Sequence, residues 1–206
     1  MHIPSGNTDQ VQNLSFEEAL SDALLPHAEY DAGKWLFVPD YYTEYRYILG
    51  TRGKEPLICI GINPSTAAPD ALDNTLKSVE RIAHANGFDS WMMFNVYPQR
   101  ATRPEDMERA ENAFLHAENI RALRWALDHC GSRKAVWGAW GNNVERRPYL
   151  IRCLWEMAEA ANEAGAVWYS AGKRSVRGHP HHPLYLKKDT PLELFDIREY
   201  LETLKI

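Results

Sequence analysis

The chain has 206 residues, of which 45% are hydrophobic, so it is long and apolar enough to form one domain with a buried core. No apolar run approaches the roughly 20 residues that a bilayer requires, and residues 1–10 are polar, so we expect neither a membrane-spanning protein nor a signal peptide. With 28 acidic and 23 basic side chains the formal net charge is −5, which disfavours a protein whose whole surface binds nucleic-acid phosphates.

The cysteines indicate a reducing compartment. Cys59, Cys130 and Cys153 are odd in number and lie within apolar segments, a pattern typical of buried reduced thiols rather than of a disulfide framework. We therefore expect a soluble, cytoplasmic protein that does not bind a membrane.

Charge is distributed unevenly along the chain. Residues 1–50 hold eight acidic and two basic side chains, and the remainder is close to neutral. Within that remainder, residues 172–188 carry five basic side chains, three histidines and no acidic side chain. This segment is either a solvated loop or a basic patch that binds phosphate.

The N-terminal quarter is predicted to form a helix followed by two strands. Ser15 and Glu18 have the spacing of a capping box, which predicts the start of a short helix after Ser15. Trp35–Val38 and Tyr45–Leu49 are rich in aromatic and β-branched residues, as strands are, and residues 50–53 are predicted to form the turn after them. This strand pair is expected to precede the main sheet.

From residue 57 onward, buried strands alternate with amphipathic helices. Each predicted strand is a short apolar run, as expected where both faces are covered, and each helix has an apolar stripe of helical period. The four strands are Leu57–Ile62, Trp91–Val96, Ala135–Trp137 and Ala166–Ser170, and Thr190 is expected to cap a last helix. The alternation predicts an α/β fold in three layers, α/β/α, with a central, mainly parallel four-stranded sheet. We expect a single domain over residues 1–206, in which residues 1–50 form an N-terminal extension with a helix and a strand pair.

Polar residues follow the predicted strands, at the edge of the sheet where α/β folds bind ligands. Asn63, which Pro64 restricts to an extended conformation, can position a water or a substrate group but cannot act as a strong base. Asn95 presents the same amide and suits the edge of a base. Either asparagine could instead serve only to close its own turn. His182, or alternatively His179, can donate a hydrogen bond to a developing anion.

Several common catalytic motifs are absent from the sequence. There is no Walker-type phosphate loop and no Gly-x-Gly-x-x-Gly, so nucleoside triphosphates and dinucleotide cofactors are disfavoured. There is no Gly-x-Ser-x-Gly elbow, and Ser65 lacks a convincing His/Asp partner order for a nucleophile. The irregular spacing of His179, His181 and His182 disfavours zinc. We therefore predict neither a cofactor nor a metal.

Taken together, the strand ends resemble the uracil-DNA glycosylase superfamily, and the order of the pieces over residues 57–186 carries the resemblance. The pieces are Gly61-Ile62-Asn63-Pro64, which is similar to the first motif of the mismatch-specific branch, then Phe94-Asn95, Val136-Trp137-Gly138 and His182-Pro183-Leu184-Tyr185-Leu186. Within the superfamily the chain most resembles an uncharacterised bacterial family, a domain of unknown function. The further marks of that family are Asp73-Asn74-Thr75 and Arg100-Ala101-Thr102.

The resemblance implies an N-glycosidic hydrolase that excises a base from DNA or acts on a smaller nucleoside-like molecule. It implies that Asn63 positions the water that attacks the sugar C1′, and that His182, or His179, stabilises negative charge on the leaving base. The implied substrate-binding residues are Gly61, Pro64, Ser65, Asn95, Tyr97 and Asn74. The residues expected to hold phosphates of a nucleic acid are Arg100, Arg103, Lys173, Arg174 and Arg177.

Two other functions fit the same sequence. Asn63 stands where other branches have a water-activating Asp, so the main alternative is a non-catalytic module that binds a nucleotide or nucleic acid. The third hypothesis is a protein-interaction domain that uses exposed aromatic residues and the acidic N-terminal segment. The sequence predicts no particular oligomeric state.

Overall fold

The computed structural model describes residues 7–204, which form one seven-stranded sheet and five α-helices. The strands are β1 (Trp35–Val38), β2 (Ile48–Thr51), β3 (Pro56–Gly61), β4 (Ser90–Asn95), β5 (Ala135–Gly138), β6 (Val167–Ala171) and β7 (Leu192–Leu194). The helices are α1 (Phe16–Ala23), α2 (Asn74–Ala85), α3 (Ala113–His129), α4 (Pro148–Glu163) and α5 (Ile197–Glu202). Residues 1–6 and 205–206, which the predicted domain includes, lie outside the described range.

The sheet has the order β1-β2-β4-β3-β5-β6-β7. Its four central strands, β4, β3, β5 and β6, are parallel, whereas β1, β2 and β7 pair antiparallel at the two sides. The α/β class is confirmed, and each of the four predicted strands is present. The prediction of a four-stranded sheet is wrong, because three further strands extend it.

The N-terminal strand pair belongs to this sheet. Gly50 and Thr51, predicted to lie in a turn, are instead the last two residues of β2. Gly50 pairs with Met92 of β4, so the strand pair continues the central sheet rather than preceding it. The period of the apolar pattern cannot show this, because it reports which face of a strand is buried and not which strand lies beside it.

The strand β7 lies where the sequence predicts the start of the last helix. The sequence predicts that Thr190 caps this helix, but Leu192–Leu194 pairs antiparallel with β6. The helix begins later, at Ile197, where the Asp196 carboxylate accepts hydrogen bonds from the backbone N–H groups of Arg198 and Glu199.

Alternate residues of each central strand contribute to two separate cores. Ile58 and Ile60 of β3 pack in the larger core with α1, α3, α4 and α5. Leu57 and Cys59 of the same strand pack in the second core with α2. Helices therefore cover both faces of the sheet, and the carboxyl ends of the four parallel strands meet at one edge.

The predicted capping box and the predicted buried thiols are both present. The capping box of α1 is confirmed, since Ser15 accepts from the Glu18 N–H while the Glu18 side chain accepts from the Ser15 N–H. All three cysteines are buried and free.

Between residues 7 and 204, no helix is both long enough and apolar enough to cross a membrane.

Candidate functional site

A cavity of about 190 Å³ opens at the carboxyl ends of β3 and β4. This volume is more than ten times the roughly 10–15 Å³ that one water needs, so the cavity has room for a small organic group. Its polar lining comes from the ends of several elements and consists of Arg46, Asn63, Ser65, Asp73, Thr75, Asn95, Thr102, Asn143 and His182.

The cavity brings together part of the site predicted from the sequence. The predicted residues that line it are Gly61, Asn63, Ser65, Asn95 and His182. The predicted residues that do not line it are Pro64, Asn74, Tyr97 and His179, together with the five basic residues.

Asn63 has its amide fixed in one orientation. Its Nδ2 donates to the carbonyl oxygens of Pro64 at 3.1 Å and Ala101 at 2.7 Å. Because two acceptors face the amide nitrogen, the other atom must be Oδ1, which is an acceptor only. Asn63 can therefore accept a hydrogen bond from a water or a ligand.

Asn95 is buried with an unsatisfied donor. Its side chain is 1% exposed, and its Nδ2 has no hydrogen-bond partner in the described part of the chain. The backbone carbonyl of the same residue accepts from Asn119 Nδ2 at 2.9 Å, which anchors the end of β4. An unpaired buried amide donor costs about 1–3 kcal/mol, and the residue that carries it lies in the cavity wall.

Gly61 makes room for the Asn95 amide. A Cβ atom at position 61 would lie 3.0 Å from Asn95 Oδ1 and 2.5 Å from the terminal methyl of Met93. Both side chains line the same cavity. A residue other than glycine would therefore displace the wall of the cavity.

His182 is held in one tautomer. Its Nδ1 accepts from the backbone N–H of Leu184 at 3.3 Å, so the neutral ring carries its proton on Nε2. Burial lowers the pKa of His182, Asp73 opposes that shift, and His181 adds to it. The ring is therefore a neutral donor over a wider pH range than an exposed histidine.

His179 lies elsewhere. It is fully buried, with Nδ1 2.8 Å from the Tyr200 hydroxyl and Nε2 3.2 Å from Glu145 Oε1. Both ring nitrogens are thus engaged within the protein. Of the two histidines considered for catalysis, only His182 lines the cavity.

Asp73 is the carboxylate of the cavity. It precedes α2 and caps it, since Oδ1 accepts from the Leu76 N–H at 2.8 Å. The hydroxyl of Ser65 donates to Oδ2. Asp73, rather than the neighbouring Asn74, therefore reaches the cavity.

Two buried arginines fasten the loop that carries Ser65. Arg46 Nη1 donates to the Ala67 carbonyl at 3.0 Å, and Arg100 Nη1 donates to the carbonyls of Ala67, at 3.2 Å, and Ser65. Burial lowers the pKa of Arg100 to about 10, and burial together with the neighbouring Arg100 lowers that of Arg46. Arg100 is fully buried, so the predicted contact of its side chain with a nucleic-acid phosphate has no support in its position.

The other four basic residues lie at the surface. Arg103 and Lys173 are exposed. Arg174 packs over an aromatic ring, and Arg177 forms a salt bridge with Glu145. Arg174 and Arg177 are thus engaged within the protein, and the phosphate contacts of the surface residues stay a prediction.

The remaining predicted substrate residues have other surroundings. The Tyr97 hydroxyl lies in the core, where it donates to Glu108 Oε2 at 2.9 Å and accepts from the Asn112 N–H at 2.6 Å. Asn74 is exposed at the first position of α2, and Pro64 is buried beside the cavity without lining it. Within residues 7–204 no group of three or more His, Cys, Asp or Glu side chains is arranged to hold a metal ion.

Sequence reasoning missed Arg46 and Asp73 as members of the site. Arg46 is the one charged residue in the predicted strand Tyr45–Leu49, and a charge within a buried strand is a signal that could have identified it. Asp73 can be recognised from the sequence as a helix cap. Because capping alone explains an Asp at this position, the sequence gives no signal of a second role.

The pH dependence of stability tests the state of His182. In the folded chain its pKa lies below the ordinary value of about 6.5, so the unfolded chain binds more protons as the pH falls through that value. Its contribution to stability is therefore present above pH 6.5 and is lost below it. We expect His182→Gln to show a smaller fall in the free energy of unfolding between pH 7.5 and 5.5 than the unsubstituted protein, measured by urea denaturation. An unchanged pH dependence would contradict this assignment.

Comparison with protein-family models matches residues 46–184 to the family described as a protein of unknown function, DUF1643. Comparisons with curated proteins and with solved structures give no match. The matched region is about two thirds of the chain and includes every residue that lines the cavity, from Arg46 to His182. The resemblance to uracil-DNA glycosylases is not among these matches and stays a prediction. The chain belongs to the DUF1643 family.

Proposed function

We propose that the chain is an N-glycosidic hydrolase, which cleaves the bond between a base and its sugar in DNA or in a smaller nucleoside-like molecule. The observation that carries the proposal is that Asn63, Asn95 and His182, which follow or end three different strands, line one cavity. Hydrolysis of this bond requires a held base, a positioned water and a donor to the leaving group, and each residue has the chemistry for one of these.

Asn95 holds the base. Its side chain lines the cavity, and its amide has a donor and an acceptor that can pair with the edge of a base. The backbone of Asn95 is held at the end of β4 by the hydrogen bond from Asn119 to its carbonyl. The base therefore meets Asn95 at an anchored point of the sheet.

Asn63 positions the water. Its Nδ2 is occupied by two backbone carbonyls, so Oδ1 accepts one hydrogen of the water and directs an oxygen lone pair away from itself. This orients a nucleophile without activating it.

His182 assists departure of the base. As a neutral ring with its proton on Nε2, it donates a hydrogen bond to the base as the C1′–N bond breaks and negative charge develops. Such a donor is worth about 10²–10³ in rate in other enzymes.

Base release from a defined panel tests the proposal. We expect the purified protein to release a free base from at least one of uracil-containing, mismatched or modified DNA, single- or double-stranded, or from free nucleosides, as measured by chromatography. The control is the double variant Asn63→Ala/His182→Ala, for which we expect release to fall to background. Release that persists in the double variant would show a contaminating enzyme. If no base is released while DNA or a nucleoside still binds, the protein is a binding module instead.

A further inference from the structure

The proposed reaction needs a proton acceptor that Asn63 does not provide. An attacking water must lose a proton as its oxygen bonds to C1′, and a carboxamide has no useful basicity for that step. Within the cavity lining the groups that can take a proton are Asp73 and His182. His182 already carries a proton on Nε2, and its Nδ1 is occupied by the Leu184 N–H, so its ring has no free basic nitrogen.

Asp73 is rigidly held and still has free lone pairs. One oxygen accepts from the Leu76 N–H and the other from the Ser65 hydroxyl, which together fix the plane of the carboxylate. Each carboxylate oxygen can accept about two hydrogen bonds, so both oxygens can accept another donor. The loop on which Ser65 lies is fastened in turn by the buried Arg46 and Arg100.

Asp73 interacts with two other ionisable groups of the cavity lining. Arg46 lines the same cavity and is 2% exposed. The negative charge of Asp73 favours the charged form of Arg46 and raises the pKa of His182, so this carboxylate interacts with both.

We propose that Asp73 is the general base of the N-glycosidic hydrolase, with Ser65 as the residue that positions its carboxylate. Asp73 takes one proton from the water while the water oxygen bonds to C1′. The C1′–N bond breaks, its electron pair stays on the base, and the leaving base is stabilised by the His182 N–H. The proton then passes from Asp73 to the departing base or to solvent, which balances the hydrolysis. This inference rests on the proposed function. It assigns to Asp73 the role of proton acceptor, which the Asn63 side chain cannot perform.

The test is Asp73→Asn, assayed for base release on whichever substrate the unsubstituted protein cleaves. Asparagine caps a helix as well as aspartate does, since its Oδ1 can accept from the Leu76 N–H while its Nδ2 donates to the Ser65 hydroxyl oxygen, so the fold is preserved. It cannot take a proton, so we expect the rate to fall by about 10²–10⁴-fold with an unchanged circular dichroism spectrum. A rate within threefold of the unsubstituted protein overturns the inference.

Two further variants separate a base from a merely structural carboxylate. Asp73→Ala leaves space for a small acid, so added formate should restore part of its rate, whereas Asp73→Asn fills that space and should not respond. Ser65→Ala keeps the Asp73 carboxylate, so its rate of base release should fall by less than tenfold. A Ser65→Ala loss as large as that of Asp73→Asn would make Ser65 the reacting group and overturn the inference. If the unsubstituted protein releases no base from any substrate, the proposed function fails and this inference with it.

Discussion

Asn95→Leu should weaken ligand binding without lowering stability. Leucine has the same branching at Cγ as asparagine but no donor, so it removes the unpaired Nδ2 that the folded chain now buries. We expect the free energy of unfolding to stay the same or rise by up to about 1 kcal/mol. We expect the binding of a base or nucleoside to weaken by about 1–3 kcal/mol, or roughly 5- to 150-fold.

A variant that binds the ligand more weakly but keeps its stability shows that the amide contacts a ligand rather than supports the fold. The matched control is Asn119→Leu, because Asn119 makes a hydrogen bond of 2.9 Å to the Asn95 carbonyl and does not line the cavity. That variant should lose about 1–3 kcal/mol of stability. Urea denaturation and calorimetric titration of both variants provide the comparison. If Asn95→Leu is destabilised as much as Asn119→Leu, the Asn95 side chain supports the fold rather than a ligand.

Much of the fold could be predicted from the sequence because its strongest patterns are local. The run Leu57–Ile62 is apolar throughout, and in the structure β3 is buried on both faces between parallel neighbours. The pairing of β2 with β4 could not be predicted, because it joins residues about 40 positions apart with no periodic signal. Leu192–Leu194 is too short for an alternating pattern, so β7 was not recognised.

Part of the candidate site could be predicted because several of its residues follow predicted strands. Asn63, Asn95 and His182 each follow or end a predicted strand, and the rule that ligands meet the carboxyl ends of parallel strands places all three at one edge. Arg46 precedes an antiparallel strand, where that rule does not apply, and Asp73 reaches the cavity from the start of a helix. The positions of Arg46 and Asp73 in the cavity lining depend on how the loops fold over the sheet.

Gly50→Ala should strongly destabilise the protein. A Cβ at position 50 would lie 2.3 Å from the Trp91 carbonyl oxygen and 2.8 Å from Met92 Cα, both of which are backbone atoms of β4. That strand also pairs with β3 along its whole length, so it cannot move away without breaking the parallel sheet. We expect a loss of about 3 kcal/mol or more in the free energy of unfolding, at the upper end of overpacking effects.

The control for this prediction is Gly33→Ala, at an exposed position before β1. There the added Cβ meets only the flexible carboxylate of Asp31 at 3.0 Å, so we expect a change within about 0.5 kcal/mol. Urea denaturation of both variants decides how residues 1–50 relate to the domain. A loss below about 1 kcal/mol for Gly50→Ala would mean that β2 can separate from β4 and that the strand pair is an extension after all. A large loss would mean that this segment completes the sheet whose β4 carries Asn95, so that the N-terminal quarter supports the candidate site as well as the fold.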